Sequence, residues 1–407
     1  MSEPLSTPLS TIELTLDSLA FGGEAVGRDA EGRVAFVAGG APGDRVVARV
    51  TESKKSFVRA ELLRVVTPGA ARVEAPCPIV DRCGGCPWQH VDLGAQLAAK
   101  QAIVVRALGR SGADIMPVAA SPAALGYRTR VRMTARNGAV GFAGRRSHAI
   151  VDVERCIALD PILDEAMQAV RRSVGALVGE EGALSGLVQG GVVEIALASG
   201  RGADQERLQK SARALVGQRH IARVSVDDPS APAAGFAQAN AAQNEVLRRL
   251  VREAARAEGA RVLELYAGDG NFTRDLAAAT ERGVAVEGDR PAVARLQAKL
   301  KALPGWQVAG EPAVRAVERL VRDGERFDVV VLDPPRAGAA DVVDGIAKLA
   351  PARIVYVSCD PMTLARDVAT LGARGYRART AWPVDMMPQT WHIEVVCLLQ
   401  RASDANG

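Results

Sequence analysis

Ile354-Val355-Tyr356-Val357-Ser358-Cys359-Asp360-Pro361 is an apolar run of strand length that ends in a cysteine, with a proline where a following helix would begin. It reads as a buried strand, and Cys359 stands at its carboxyl end. In open α/β sheets that edge is where ligands bind. Most free cysteines are small buried hydrophobes, so position alone leaves a nucleophile and a core residue both open.

The neighbouring segments decide the fold. Strand patterns at 261–266, 283–287, 306–309 and 327–332 alternate with helical ones up to 353–358, which specifies an α/β, doubly wound parallel sheet. Residues 377–381 and 394–399 add a closing hairpin. This domain is expected over 236–407, after a linker at 227–234, and an amphipathic helix carrying Leu247, Leu250 and Val251 opens it.

Within it, Glu264-Leu265-Tyr266-Ala267-Gly268-Asp269-Gly270-Asn271-Phe272-Thr273 follows a strand and opens a helix. Glycines there let backbone pass close to a cofactor. Glu287, 23 positions after Glu264, ends the second strand, where a carboxylate accepts from ribose hydroxyls. Thr273 stands where a third glycine of a dinucleotide loop would be. That suits S-adenosylmethionine, which has no pyrophosphate to cradle. Asp333, in Leu332-Asp333-Pro334-Pro335-Arg336, tips the fourth strand beside Cys359 and could bind cofactor or base. Asp385-Met386-Met387-Pro388-Gln389-Thr390-Trp391-His392-Ile393-Glu394 ends in a carboxylate at a strand start, where Glu394 or His392 could remove a proton.

The first third reads differently. Short alternating runs at 11–16, 33–37, 45–50 and 58–66, separated by Phe21-Gly22-Gly23 and Gly39-Gly40-Ala41-Pro42-Gly43, suit a small all-β barrel over 1–66. Its first ten residues are polar and expected to be disordered. It resembles a TRAM domain, an OB-like barrel that helps RNA enzymes hold substrate. Lys54, Lys55 and Arg59 either face RNA or only solubilise a hairpin.

Between barrel and sheet, residues 67–235 are expected to form a central α+β domain. Cys77, Cys83 and Cys86 lie within ten residues, and Cys156 follows 70 residues on. Four thiolates suit a zinc ion or an iron–sulfur cluster, and spacing does not separate the two; a redox disulfide is the weaker alternative. A helix is expected from about 93 to 108. Gly126-Tyr127-Arg128-Thr129-Arg130-Val131-Arg132-Met133 alternates arginine with apolar residues, which puts the arginines on one strand face. With Arg136, Arg145 and Arg146 they form a cluster free of acidic residues, suited to a phosphate backbone. Details of 161–220 are not legible.

The net charge of +4 arises chiefly from this middle third. There is no apolar run of about 18 residues to span a membrane and no signal-type start, so a cytoplasmic protein is expected. Six cysteines in 407 residues then argue for metal or catalytic use over a disulfide framework.

Together the barrel, the four cysteines, E-L-Y-x-G-x-G-N-F-T, L-D-P-P-R-A-G, V-S-C-D-P-x-T-L-A-R-D and D-M-x-P-x-T-x-H-x-E resemble the RNA uridine-C5 methyltransferases, specifically the 23S ribosomal RNA branch. The resemblance implies a class I, Rossmann-like methyltransferase domain that makes 5-methyluridine. Cys359 matches the nucleophile that adds to uracil C6, and Glu394 the base that takes the C5 proton. Gln238, Tyr266, Glu287 and Asp333 match residues that hold S-adenosylmethionine. Cys77, Cys83, Cys86 and Cys156 match the ligands of a 4Fe-4S cluster. A monomer acting on 23S rRNA is implied, with tRNA as the alternative target. Gln389 and Trp391 stand where the family motif more often has other residues, and Ala143-Gly144 interrupts a stretch that is usually bulkier.

Two other classes compete. An iron–sulfur radical methyltransferase needs a C-x3-C-x2-C motif that is absent and leaves Cys359 without a purpose. A non-catalytic RNA-binding protein leaves the cofactor loop unexplained.

Overall fold

The computed structural model describes residues 10–402 apart from 146, 281 and 304. Nine residues of the polar N-terminal stretch, and Arg146 of the arginine cluster, lie outside the described residues.

Five strands close the N-terminal barrel: β1 (Thr11–Leu19), β2 (Ala25–Arg28), β3 (Val34–Ala38), β4 (Arg45–Ser53) and β5 (Phe57–Thr67). Their order around the barrel is β1-β2-β3-β5-β4, with β3 and β5 parallel and the other pairs antiparallel. Alternation decides which side faces in: Leu14, Leu16, Val46, Ala48, Val58 and Ala60 are buried. Strand β2, four residues of Ala-Val-Gly-Arg, was not expected. Asp44, fully buried, braces the exit by accepting from Ala41 N (2.7 Å), Gly69 N (2.9 Å) and Arg72.

Helix α1 (Leu93–Leu108) and strand β6 (Asp114–Ile115) follow. Both fall in the central segment by sequence, yet Val104 and Leu108 join the core of the C-terminal sheet and β6 pairs with its edge. The central sheet has the order β12-β11-β10-β7-β8-β9, built from β7 (Arg130–Arg136), β8 (Ala139–Ala143), β9 (Ile150–Asp152), β10 (Ala183–Gln189), β11 (Val192–Ala198) and β12 (Ile221–Val226). Helices α2 (Pro161–Val174) and α3 (Gln205–Leu215) cover it. On β7 the alternation runs as expected, with Val131, Met133 and Ala135 buried beneath α2.

The C-terminal sheet runs β15-β14-β13-β16-β17-β19-β18-β6. Its strands are β13 (Arg261–Leu265), β14 (Arg282–Val286), β15 (Trp306–Ala309), β16 (Val329–Leu332), β17 (Arg353–Ser358), β18 (Tyr376–Val384) and β19 (Glu394–Arg401). The first five are mutually parallel and β19 is antiparallel to β17 and β18. Helices α4 (Ala241–Ala255), α5 (Thr273–Ala279), α6 (Arg290–Leu300), α7 (Ala313–Arg322), α8 (Val343–Leu349) and α9 (Pro361–Ala373) pack on its two faces. Val329 to Leu332 and Ile354 to Val357 are at most 1% exposed, as strands covered on both sides must be. Strand order reverses between β13 and β16, which opens a crevice at their carboxyl ends. Among the described residues no helix is long and apolar enough to cross a membrane.

Candidate active site

Register places the reactive groups. Strand β17 pairs antiparallel with β19 so that Ser358 lies opposite Val395, which sets Cys359 opposite Glu394 just beyond. Strand β16 pairs parallel with β17, Leu332 level with Tyr356, which puts Asp333 at the same sheet edge. Asp360 caps α9 by accepting from Met362 N and Thr363 N, and Pro361 fills the first helical position. Cys359 is thereby held at a strand-to-helix corner, half-buried.

The electrostatics follow from three acids or would-be anions sharing one cleft. Burial, then Glu394, then Asp333 push the Cys359 thiol up to about 12, so the free cleft holds it protonated. Burial and Asp333 push Glu394 well above the ordinary carboxylate range. Burial raises Asp333 to about 7. Arg336 opposes these shifts, favouring the thiolate of Cys359 and the carboxylate of Glu394. Its guanidinium is 3.4 Å from His392 Nδ1 and 5.8 Å from the Trp391 ring centre. Burial and then Arg336 pull His392 down to about 4, which leaves it neutral at physiological pH.

The adjacent crevice is formed by the loop after β13. Tyr266 adopts φ of +61°, an uncommon conformation for a bulky residue and a mark of a constrained site. Gly268 N donates to Glu287 Oε2 at 2.7 Å, so the carboxylate at the end of β14 is tied to the glycine loop. Gln238 lies half-buried in the segment entering α4, beside Phe236, which is 63% exposed. Glu264 is 1% exposed, and the Thr273 hydroxyl and backbone N–H are the groups that favour its charged form. Burial pushes it up to about 8. A buried acid with so raised a proton affinity beneath a glycine loop marks a candidate ligand site. Sequence reading passed over it because a carboxylate inside a strand looks like a solvent-facing residue.

The loop carrying Glu394 is fastened from α1. Lys100 Nζ donates to Asp385 Oδ1 (2.5 Å) and to the Met387 carbonyl (3.0 Å). Gln96, one turn earlier, donates to Gln389 Oε1 and accepts from Gln389 N, supporting that residue at φ of +66°. Trp88 N donates to the Gln389 carbonyl and Tyr127 to that of Pro388. Neither Gln96 nor Lys100 was singled out in the sequence. Their signal was two polar residues four apart on a buried helix face.

The second constellation lies in the central region. Cys77, Cys83, Cys86 and Cys156 line one cavity together with Arg128. Among the described residues no three donors converge closely enough for one metal ion. Burial raises the Cys83 and Cys156 thiols and takes Cys86 to about 11. Arg128 Nε is buried without a partner. The described arginines of the cluster have different surroundings. Arg128 turns to the cysteines, Arg130 donates to the Gly235 carbonyl, and Arg136 pairs with Glu181 at 2.8 Å, while Arg132 is exposed.

Comparison with known proteins matches the N-terminal barrel and the C-terminal sheet domain. Residues 6–63 fit the TRAM domain model, and residues 223–304 and 308–402 fit the model "tRNA (Uracil-5-)-methyltransferase". An uncharacterized RNA methyltransferase of Thermosynechococcus vestitus is 33% identical over 96% of this chain and 98% of its own. The 23S rRNA (uracil(1939)-C(5))-methyltransferase RlmD of Halomonas elongata is 33% identical over 97% of this chain and 90% of its own. In Aeromonas hydrophila the corresponding protein is 33% identical over 97% and 98%. The crystal structure of the Pyrococcus abyssi tRNA (uracil-54, C5)-methyltransferase with S-adenosyl-L-homocysteine superposes with a TM-score of 0.71. At 23% identity, covering 95% of this chain and 99% of that one, it establishes the shared fold.

Proposed function

The chain belongs to the RNA uracil-C5 methyltransferases, and from that premise we propose that it methylates uridine in 23S rRNA, with Cys359 as nucleophile and Glu394 as base. It is an S-adenosylmethionine-dependent enzyme acting at uridine C5 in RNA. The observation that carries the assignment of roles is the register that sets Cys359 opposite Glu394, beside Asp333, at the sheet's carboxyl edge.

Uracil C5 is a poor nucleophile until C6 is substituted. In this reading the Cys359 thiol releases its proton to solvent, with Arg336 favouring the thiolate, the sulfur adds to C6, and the enolate so formed is nucleophilic at C5. S-adenosylmethionine, when bound, supplies the electrophilic methyl group. Glu394 then takes the C5 proton, the C6–sulfur bond breaks, and free enzyme returns. The target base must leave its stack to reach Cys359, which favours a loop over a duplex. The residues fit the cofactor: Glu287, tied to Gly268 N, and the buried Glu264 place two carboxylates at the glycine loop. Gln238, Tyr266, Glu287 and Asp333 are the side chains to hold it.

The central site fits a 4Fe-4S cluster better than zinc. Four thiols surround one cavity without converging on a point, and Arg128 offers a buried unpaired donor toward an anionic group. When bound, such a cluster would join Cys77, Cys83, Cys86 and Cys156 and fix the turn they share; it has no part in methyl transfer. The same reading takes the protein as a cytoplasmic monomer divided at about 66 and 235, with α1 and β6 of the middle part packed into the C-terminal sheet.

The test is incubation with methyl-labelled S-adenosylmethionine and either deproteinised 23S rRNA or total tRNA, followed by nucleoside mapping. Labelled 5-methyluridine in 23S rRNA is expected. Label confined to tRNA overturns the target, and label in neither RNA overturns the activity.

A further inference from the structure

The N-terminal barrel touches the catalytic loop directly, through Trp391. Trp391 lies half-buried between the two, packed against the barrel core formed by Leu16, Ala25 and their neighbours. Phe21, in the turn between β1 and β2, meets it edge-on with ring centres 4.6 Å apart. Gly23 presses so close that a methyl group there would come within 2.7 Å of Trp391 Cδ1. Gly23 is itself fixed, since its carbonyl accepts from Trp88 Nε1 at 3.0 Å, and Trp88 N holds the Gln389 carbonyl on the same loop. The Trp391 ring also contacts His392, with centres 3.9 Å apart and the planes tilted by 37°, and Arg336 lies over it. Ile393 is buried in the core, and Glu394 follows.

We propose that the barrel is a positioning element of the catalytic loop, with Phe21 and Gly23 clamping Trp391 so that His392, Arg336 and Glu394 keep their places. This rests on the function proposed above. Trp391 and Phe21 act as positioning residues, through His392, Arg336 and Glu394. Barrel and catalytic loop are thereby one mechanical unit. A loop displaced by a fraction of an ångström no longer presents Glu394 to the C5 proton, and proton removal slows more than binding does.

The discriminating experiment compares the parental full-length enzyme with Phe21→Ala, Trp391→Ala and Trp391→Phe on 23S rRNA. Each is read for kcat, KM and the steady-state fraction of protein covalently joined to RNA on a denaturing gel. Phe21→Ala and Trp391→Ala are expected to lower kcat by between about ten- and a hundredfold with little change in KM, the scale of a small misplacement of a catalytic group. The covalent fraction should rise, because its breakdown needs Glu394, and Trp391→Phe should recover most of the rate. A raised KM with kcat unchanged would show a barrel that only holds RNA, and parental values throughout would show a passive contact; either overturns the clamp. Should Trp391→Ala not fold, Phe21→Ala, a half-buried turn residue, decides alone. A parental enzyme that neither methylates nor forms adduct sinks the proposed function instead.

Discussion

Lys100 and Asp385, 285 residues apart in sequence, form an ion pair that joins helix α1 to the loop before Glu394, with Lys100 fully buried. Burial pulls the ammonium down and the carboxyl up, and each partner opposes the other's shift. Removing one partner strands a buried charge, so Lys100→Met is expected to destabilise the protein by about 3 to 5 kcal/mol. The double variant Lys100→Met, Asp385→Asn should cost less than the sum of the singles. Denaturant unfolding of all four proteins measures this, and strict additivity would deny the coupling.

Cys359 should behave as a buried thiol in the free enzyme. With its proton held up to about 12, its alkylation by iodoacetamide, followed on the Cys359 peptide by mass spectrometry, should rise about tenfold per pH unit from pH 7 to 10 with no plateau. A plateau by about pH 8 would mean that Arg336 outweighs burial and the neighbouring carboxylates. Cys359→Ala should abolish methylation while leaving RNA binding intact.

Sequence made some of this architecture plain and hid the rest for identifiable reasons. Arg353–Ser358 was readable to the residue, because a strand apolar on both faces has few alternatives, and so was Trp306–Ala309, at the edge of the sheet. Helix α1 was readable from its periodicity. Ala183–Gln189 was not: it contains Gly186, whose place is dictated by Leu163 and Met167 of α2 pressing on it, contacts that no local pattern announces. Cys359, Glu394 and Asp333 could be named from strand ends, yet their mutual burial, which sets their charges, could not. On the arginine strand the alternation was legible, while the partners that engage Arg130 and Arg136, Gly235 and Glu181, lie more than 40 residues away in the chain.

Asp333 gives cofactor binding a pH dependence whose sign is fixed. Burial raises it to about 7, so below that pH the empty cleft presents a neutral acid to a cationic ligand. Binding favours the carboxylate and releases a proton. Affinity for S-adenosylmethionine should therefore climb as pH rises toward 7, by at most about tenfold per unit for one group, and level off above. Glu264, raised to about 8, acts in the same direction. Calorimetry in two buffers of different ionisation enthalpy should detect the released proton, and Asp333→Asn should flatten the profile. An affinity constant between pH 5.5 and 8.5 would remove Asp333 from the site.

Glu394→Gln separates the two halves of the reaction. The substitution keeps the size of the side chain and removes its capacity to accept a proton as a base. Addition of Cys359 and methyl transfer should proceed, after which the methylated ring keeps its C5 proton and cannot leave the sulfur. The expected outcome is a protein–RNA adduct that survives denaturing electrophoresis, requires S-adenosylmethionine for its methyl label, and vanishes when Cys359→Ala is added. In the parental enzyme the raised proton affinity of Glu394 implies that breakdown of the same adduct quickens with pH, well above the range where an exposed glutamate has finished titrating. A Glu394→Gln enzyme turning over at the parental rate would pass the role of base to another group. His392, neutral at physiological pH and facing the same cleft through Arg336, would be the first to substitute.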